Sequence, residues 1–207
     1  WYQGGRPPPP ALEMRCVEAP FPEPSRRRQG RQWWRYDEGG SGNRPDDWAE
    51  MEVAATRIAE ELERPTRPYD GVVGFSQGAE MVHTLAVLAH RGDPRLPERR
   101  LPRFLVSLSG AVNPGHFEAA GGGGPPQGCL GLPLGPGSGE LRLPCLFVAD
   151  LEQDGWYSAE RLRGTLALYA DATLVRHGAR HRVPALGREA ADLVCGFLDR
   201  FRAAPAA

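Results

Sequence analysis

Two rhythms of apolar residues alternate along the chain. Short, mostly apolar runs at Gly71–Phe75, Phe104–Gly110, Leu143–Ala149 and Ala172–Val175 predict strands buried in a sheet. Elsewhere apolar residues recur at spacings of three and four, the period of a helix with one buried face. Trp48, Met51, Ala55, Ile58 and Leu62 form one such stripe, with Asp46 or Asp47 as its cap and Pro65 and Pro68 as its stop. Met81, Leu85, Leu88 and Ala89 mark a helix from Ala79 to about His90, and Leu162, Leu166 and Tyr169 mark a third. A fourth places Ala190, Leu193, Val194, Phe197, Leu198 and Phe201 on one stripe. An alternation from Ala11 to Val17 predicts an additional short strand, closed by Pro20, Pro22 and Pro24. Strands alternating with helices predict an α/β fold, with a mostly parallel sheet covered by helices on both faces.

The interruptions are equally informative. Residues Trp1–Pro10 are rich in glycine and proline, and the Pro7–Pro10 run favours extended structure. The polar stretch that runs to Gly42 holds Arg26-Arg27-Arg28, read as a solvated loop, and the pair Trp33-Trp34. Two adjacent large aromatics must pack on something, so the pair is expected to cover a core edge or to wall a pocket. Glycine and proline dominate from Val112 to Glu140, and a connection of that length predicts a functional loop or an insertion near the site edge. The length suits one domain over residues 1–207. Trp1 opens the chain without a methionine, which suggests a truncated N-terminus.

Composition narrows the function. With 25 basic and 26 acidic residues the net charge is −1, which argues against a nucleic-acid partner. No apolar run approaches the roughly 18 residues of a membrane span. Arginine supplies all the fixed positive charge; lysine is absent, so Schiff-base chemistry and a lysine general base are excluded. Cys16, Cys129, Cys145 and Cys195 lack the spacing of a zinc or redox motif, and Cys145 and Cys195 are expected to be buried thiols. A reducing, cytoplasmic setting follows as the expectation, with no metal and no cofactor. His177 and His181 are four apart, a zinc-binding spacing on a helix, but Gly178 and Pro184 argue against a helix there.

The chemistry gathers around Gly74-Phe75-Ser76-Gln77-Gly78, a G-x-S-x-G between a predicted strand and a predicted helix. That context turns a sharp corner and lifts a serine above the sheet as a nucleophile. Serine needs a base, and the base needs a third group to hold it. The acidic cluster Asp150, Glu152 and Asp154 follows a later strand, and His177 and His181 follow the next, in the order serine, acid, histidine. His83 and His90 read as surface or packing residues, and His116 falls in the glycine-rich stretch.

Three further features join the tryptophan pair: Tyr69-Asp70-Gly71-Val72-Val73-Gly74-Phe75-Ser76-Gln77-Gly78-Ala79, Ser109-Gly110 after its strand, and Gly178-Ala179-Arg180-His181-Arg182-Val183-Pro184. Together they resemble the FSH serine hydrolases of the α/β-hydrolase superfamily, over most of the chain from about Leu12. The resemblance implies an α/β-hydrolase fold, a small-molecule carboxylic-ester or thioester substrate, Ser76 as nucleophile and His181 as base. It places the acid, aligned without gaps, on Gln153; Asp154 one residue later is the expected acid, with Glu152 and Asp150 as alternatives. The family's first strand and the loop that supplies half of its oxyanion hole are expected to be missing, which leaves the backbone N–H of Gln77 as one donor. The expected function is a serine esterase working through an acyl-serine. The alternative is a hydrolase-fold binding protein with impaired catalysis.

Overall fold

The computed structural model describes residues 13–23, 30–35, 47–64, 68–90, 92–112 and 141–202. The expectations placed on Trp1–Pro10, Arg26–Arg28, Asp46, His116, Cys129 and the 113–140 stretch lie outside the described residues, as does any first family strand within 1–12.

Cys145–Ala149 (β5) is apolar along its whole length, and all five residues are buried. A strand of this kind belongs in the middle of a parallel sheet, where neighbours cover its edges and helices cover its faces. It pairs in parallel with Phe104–Leu108 (β4) on one side and Ala172–Arg176 (β6) on the other. Gly71–Phe75 (β3) completes the order β3-β4-β5-β6 by pairing in parallel with β4. Registers such as Phe75↔Leu108↔Val148↔Val175 bring the C-terminal ends of all four strands to one edge. Each loop that leaves that edge therefore meets the others, as open parallel sheets require of their ligand sites.

Helices fill both faces. Gln77–His90 (α2) lays Val82, Ala86 and Val87 against Leu105, Cys145 and Phe147 of the sheet. Its opposite side, Met81, Leu85 and Leu88, packs on Met51, Ala55, Ile58 and Leu62 of Asp47–Glu63 (α1). Residues 79–88 are consequently all buried, where the periodicity predicted a single apolar stripe: α2 is a core helix between the sheet and α1. On the other face Arg188–Asp199 (α4) sets Phe197 on Val106, Leu146, Val148 and Val175, with Ala190, Val194 and Leu198 beside it. Leu193 and Cys195, predicted to be buried, are instead exposed on the outer side of α4. Of the helix only Phe197 is fully buried, so its buried stripe is narrower than the apolar pattern implied. Ala159–Ala167 (α3) starts at Ser158, whose hydroxyl accepts the Arg161 N–H at 3.1 Å, the geometry of an N-cap.

The predicted strand over Ala11–Val17 does not form across its described part: residues 13–19 run without regular structure, and Met14 is exposed. A two-residue antiparallel ladder forms just after it, Phe21–Pro22 (β1) with Arg31–Gln32 (β2). Among the described residues no strand pairs with this stretch. Trp34 is fully buried in the α1–α2 core, and Trp33 is half-buried beside it. The pair therefore covers a core edge. His83, also fully buried, links Tyr169 Oη at 2.7 Å and Ser107 Oγ at 2.9 Å and stacks on Phe147. Burial pushes its imidazole down to about 3, so it packs as a neutral group. No helix among the described residues is long and apolar enough to cross a membrane.

Candidate active site

Ser76 is the corner between β3 and α2. Its φ of 55° lies in the left-handed region that side chains normally avoid. Three bonds hold it there: its N–H donates to the Leu108 carbonyl at 3.0 Å, and its own carbonyl accepts from Ala79 at 2.9 Å and Glu80 at 3.0 Å. The corner is so tight that a Cβ at Gly74 would run into the Gly78 carbonyl, and one at Gly110 would run into Ala79. Ser109-Gly110 thus has a physical reason: it lets the end of β4 close against the turn that carries Ser76. At Gly78, a Cβ would meet only Trp33 Nε1 at ordinary contact distance, so the second glycine of the motif is less constrained than the first.

His181 Nε2 lies 2.8 Å from Ser76 Oγ, although the two residues are 105 positions apart. On its far side His181 Nδ1 lies 3.0 Å from Asp154 Oδ1 and 3.2 Å from Oδ2. An Nδ1–H that donates to the carboxylate leaves Nε2 as the acceptor for the serine hydroxyl. The Asp154 side chain is fully buried, and its Oδ1 also accepts the N–H groups of Trp156 and Tyr157, each at 3.1 Å. Three donors on one buried carboxylate keep it fixed and satisfied. The tested spacing of His177 and His181 is not a helical one, because both lie in the loop after β6.

The other two acids go elsewhere. Glu152 is exposed and pairs with Arg176 at 2.8 Å. Asp150 is buried: Oδ1 accepts from Glu152 N–H at 3.1 Å and Gln153 N–H at 2.9 Å, and Oδ2 accepts from Arg180 N–H at 3.0 Å. These bonds, the Gln153 one foremost, hold its carboxyl below the usual carboxylate range. Asp150 therefore folds residues 151–153 into a turn and ties that turn to the histidine loop. The turn lies between the end of β5 and Asp154. Arg180, the residue before His181, has a φ of 59°, so this tie also restrains a strained backbone.

Two other devices were not read from the sequence. The Gln77 side chain accepts from Trp33 N–H at 2.7 Å and donates to the Trp34 carbonyl at 2.8 Å. The residue whose backbone N–H opens α2 beside Ser76 is thereby clamped to the tryptophan pair. Beneath the histidine, Arg161 pairs with buried Glu80 at 2.7 Å, donates to the Val112 carbonyl at 2.9 Å and lies over the Tyr157 ring. The signals were present: a glutamine and an aromatic pair of unassigned purpose, and an acid in the first turn of α2. Nothing local told which partner each would meet.

Comparison with known proteins gives a family match and a shared fold. The model of the family described as Serine hydrolase (FSH1) matches residues 8–192. Esterase OVCA2 of Bos taurus is 31% identical over 151 residues, which cover 73% of this chain and 58% of that protein. Esterase OVCA2 of Mus musculus is 33% identical over 212 residues, covering 91% of this chain and 83% of the murine protein. The crystal structure of acyl-protein thioesterase 2 from Zea mays superposes with a TM-score of 0.51 at 20% identity, covering 82% of this chain and 72% of that one. The shared architecture is the α/β-hydrolase fold.

Proposed function

The chain belongs to the serine hydrolase (FSH1) family, and on that premise we propose that it is an esterase that cleaves carboxylic esters or thioesters through an acyl-serine. The observation that carries this reading is the unbroken series Ser76 Oγ–His181 Nε2 at 2.8 Å and His181 Nδ1–Asp154 at 3.0 Å. Ser76 Oγ attacks the acyl carbon while its proton passes to His181 Nε2. The carboxylate of Asp154 holds the tautomer that can accept that proton and stabilises the imidazolium that results. The oxyanion collects on the Gln77 N–H, which belongs to the first turn of α2, where backbone donors have no helical partner. Collapse expels the alcohol or thiol, protonated from Nε2, and a water activated by the same histidine then releases the acid.

In this reading residues 1–207 act as one catalytic domain on a small-molecule acyl ester. Cys16, Cys145 and Cys195 are free thiols, which favours a reducing compartment such as the cytoplasm. A fluorophosphonate probe tests the proposal. Labelling of the wild type that vanishes in Ser76→Ala is expected. A well-folded wild type that takes no label would overturn it and favour the binding-protein alternative.

A further inference from the structure

Around the candidate base, two large aromatic rings lie partly in solvent. Trp156 is 74% exposed and Phe75 is 40% exposed. Their ring centroids lie 5.7 Å and 5.3 Å from that of His181. A third ring, Tyr157, also lies 5.7 Å from the imidazole, but it is buried and carries the Arg161 guanidinium on its face, so its role is packing. Exposing an indole forgoes a large hydrophobic gain. The backbone under this one is not free to turn it away, because the Trp156 N–H is bonded to Asp154 Oδ1, the same oxygen that faces His181. Phe75 is fixed as firmly, as the last residue of β3 directly before Ser76. The backbones that carry both rings are therefore held beside the imidazole by the residues that build the site.

We propose that Phe75 and Trp156 form a leaving-group subsite that takes a flat, apolar group, an aromatic one above all. The inference rests on the acyl-transfer reading and adds to it which side of the ester is recognised. His181 Nε2 must come within hydrogen-bond reach of the leaving oxygen or sulfur to protonate it. Whatever is attached to that atom then lies beside the groups that surround the imidazole, and the acyl chain points away from them. Offset or tilted contact between aromatic rings adds to the area buried, which favours an aryl over an alkyl substituent.

The test uses two esters of one acid with alcohols of similar intrinsic reactivity, naphthylmethyl butyrate and ethyl butyrate. Both give the same acyl-serine, so only acylation can distinguish them. Wild type is expected to prefer the naphthylmethyl ester, and Trp156→Ala to reduce the ratio of the two kcat/KM values about tenfold, with Phe75→Leu reducing it less. Naphthylmethanol should inhibit wild type competitively and Trp156→Ala about tenfold more weakly. An unchanged ratio in both variants overturns the subsite. Hydrolysis of both esters that persists in Ser76→Ala would instead overturn the acyl-serine reading, so the two failures are distinct.

Discussion

Replacing Asp150 by asparagine isolates one contact between the loops that carry Asp154 and His181. The side-chain oxygen of asparagine can still accept from Glu152 and Gln153 N–H and so keep the 151–153 turn. Its NH2 then faces the Arg180 N–H, which now donates to Asp150 Oδ2 at 3.0 Å. A hydrogen bond to a charged acceptor contributes about 1.5–3 kcal/mol. The left-handed backbone of Arg180, with φ 59°, costs roughly 1–2 kcal/mol in a residue with a Cβ. With the tie lost, that strain is no longer offset, and the loop should relax. A shift of about 2 kcal/mol changes a population ratio by up to about 30-fold, so kcat should fall about 10–30-fold with KM little changed. Fluorophosphonate labelling should slow in parallel, and the Arg180 amide should exchange faster. Adding Arg180→Gly removes roughly 1 kcal/mol of strain and should restore about fivefold. Wild-type kcat in Asp150→Asn, or no recovery in the double variant, would refute the reasoning.

The remaining expectations follow from the same geometry. Asp154→Asn should lower kcat by about 10³–10⁴-fold, because the buried partner of Nδ1–H loses its charge and the tautomer its anchor. Glu152→Gln should stay within about twofold, since that side chain only makes an exposed pair with Arg176; steady-state kinetics of the two variants, with equal and mild effects, would reassign the acid. His83 is held at about 3 in the folded protein against an ordinary 6.5. The unfolded chain therefore binds the additional proton, and stability should fall as pH drops below 6.5, by roughly 1.4 kcal/mol per unit. Urea unfolding at neutral pH and at about pH 5 should show this loss in wild type and a smaller one in His83→Gln.

The core elements were legible because their signals are local. α1 carries a helical period ahead of a proline stop, β3 is a short apolar run that leads straight into α2, and Ser76 sits at a corner whose glycine is demanded by contacts within five residues. The order Ser76, acidic loop, His181 could be read because α/β connections return each strand to the same sheet edge. The acid could not be chosen from spacing, since Asp150, Glu152 and Asp154 differ only in where a turn points them. What brings that turn to the histidine loop is an N–H from Arg180, 30 residues away in the chain. Likewise the alternation at Ala11–Val17 met no strand to pair with among the described residues, and α4 hid less of its apolar stripe than its pattern allowed. In each miss a tertiary partner, present or absent, outweighed a correct local preference.

The clamp on Gln77 has a consequence for how the protein assembles. β3 and α2 adjoin in sequence, and their mutual contacts close short loops. The bonds from Gln77 to Trp33 and Trp34 close loops of 44 and 43 residues, a slower and entropically dearer step. The refolding chain can therefore acquire its central helix before the segment that clamps Gln77 has docked. Docking of the tryptophan pair is then a step separable in time from the formation of the β3–α2 corner that carries Ser76.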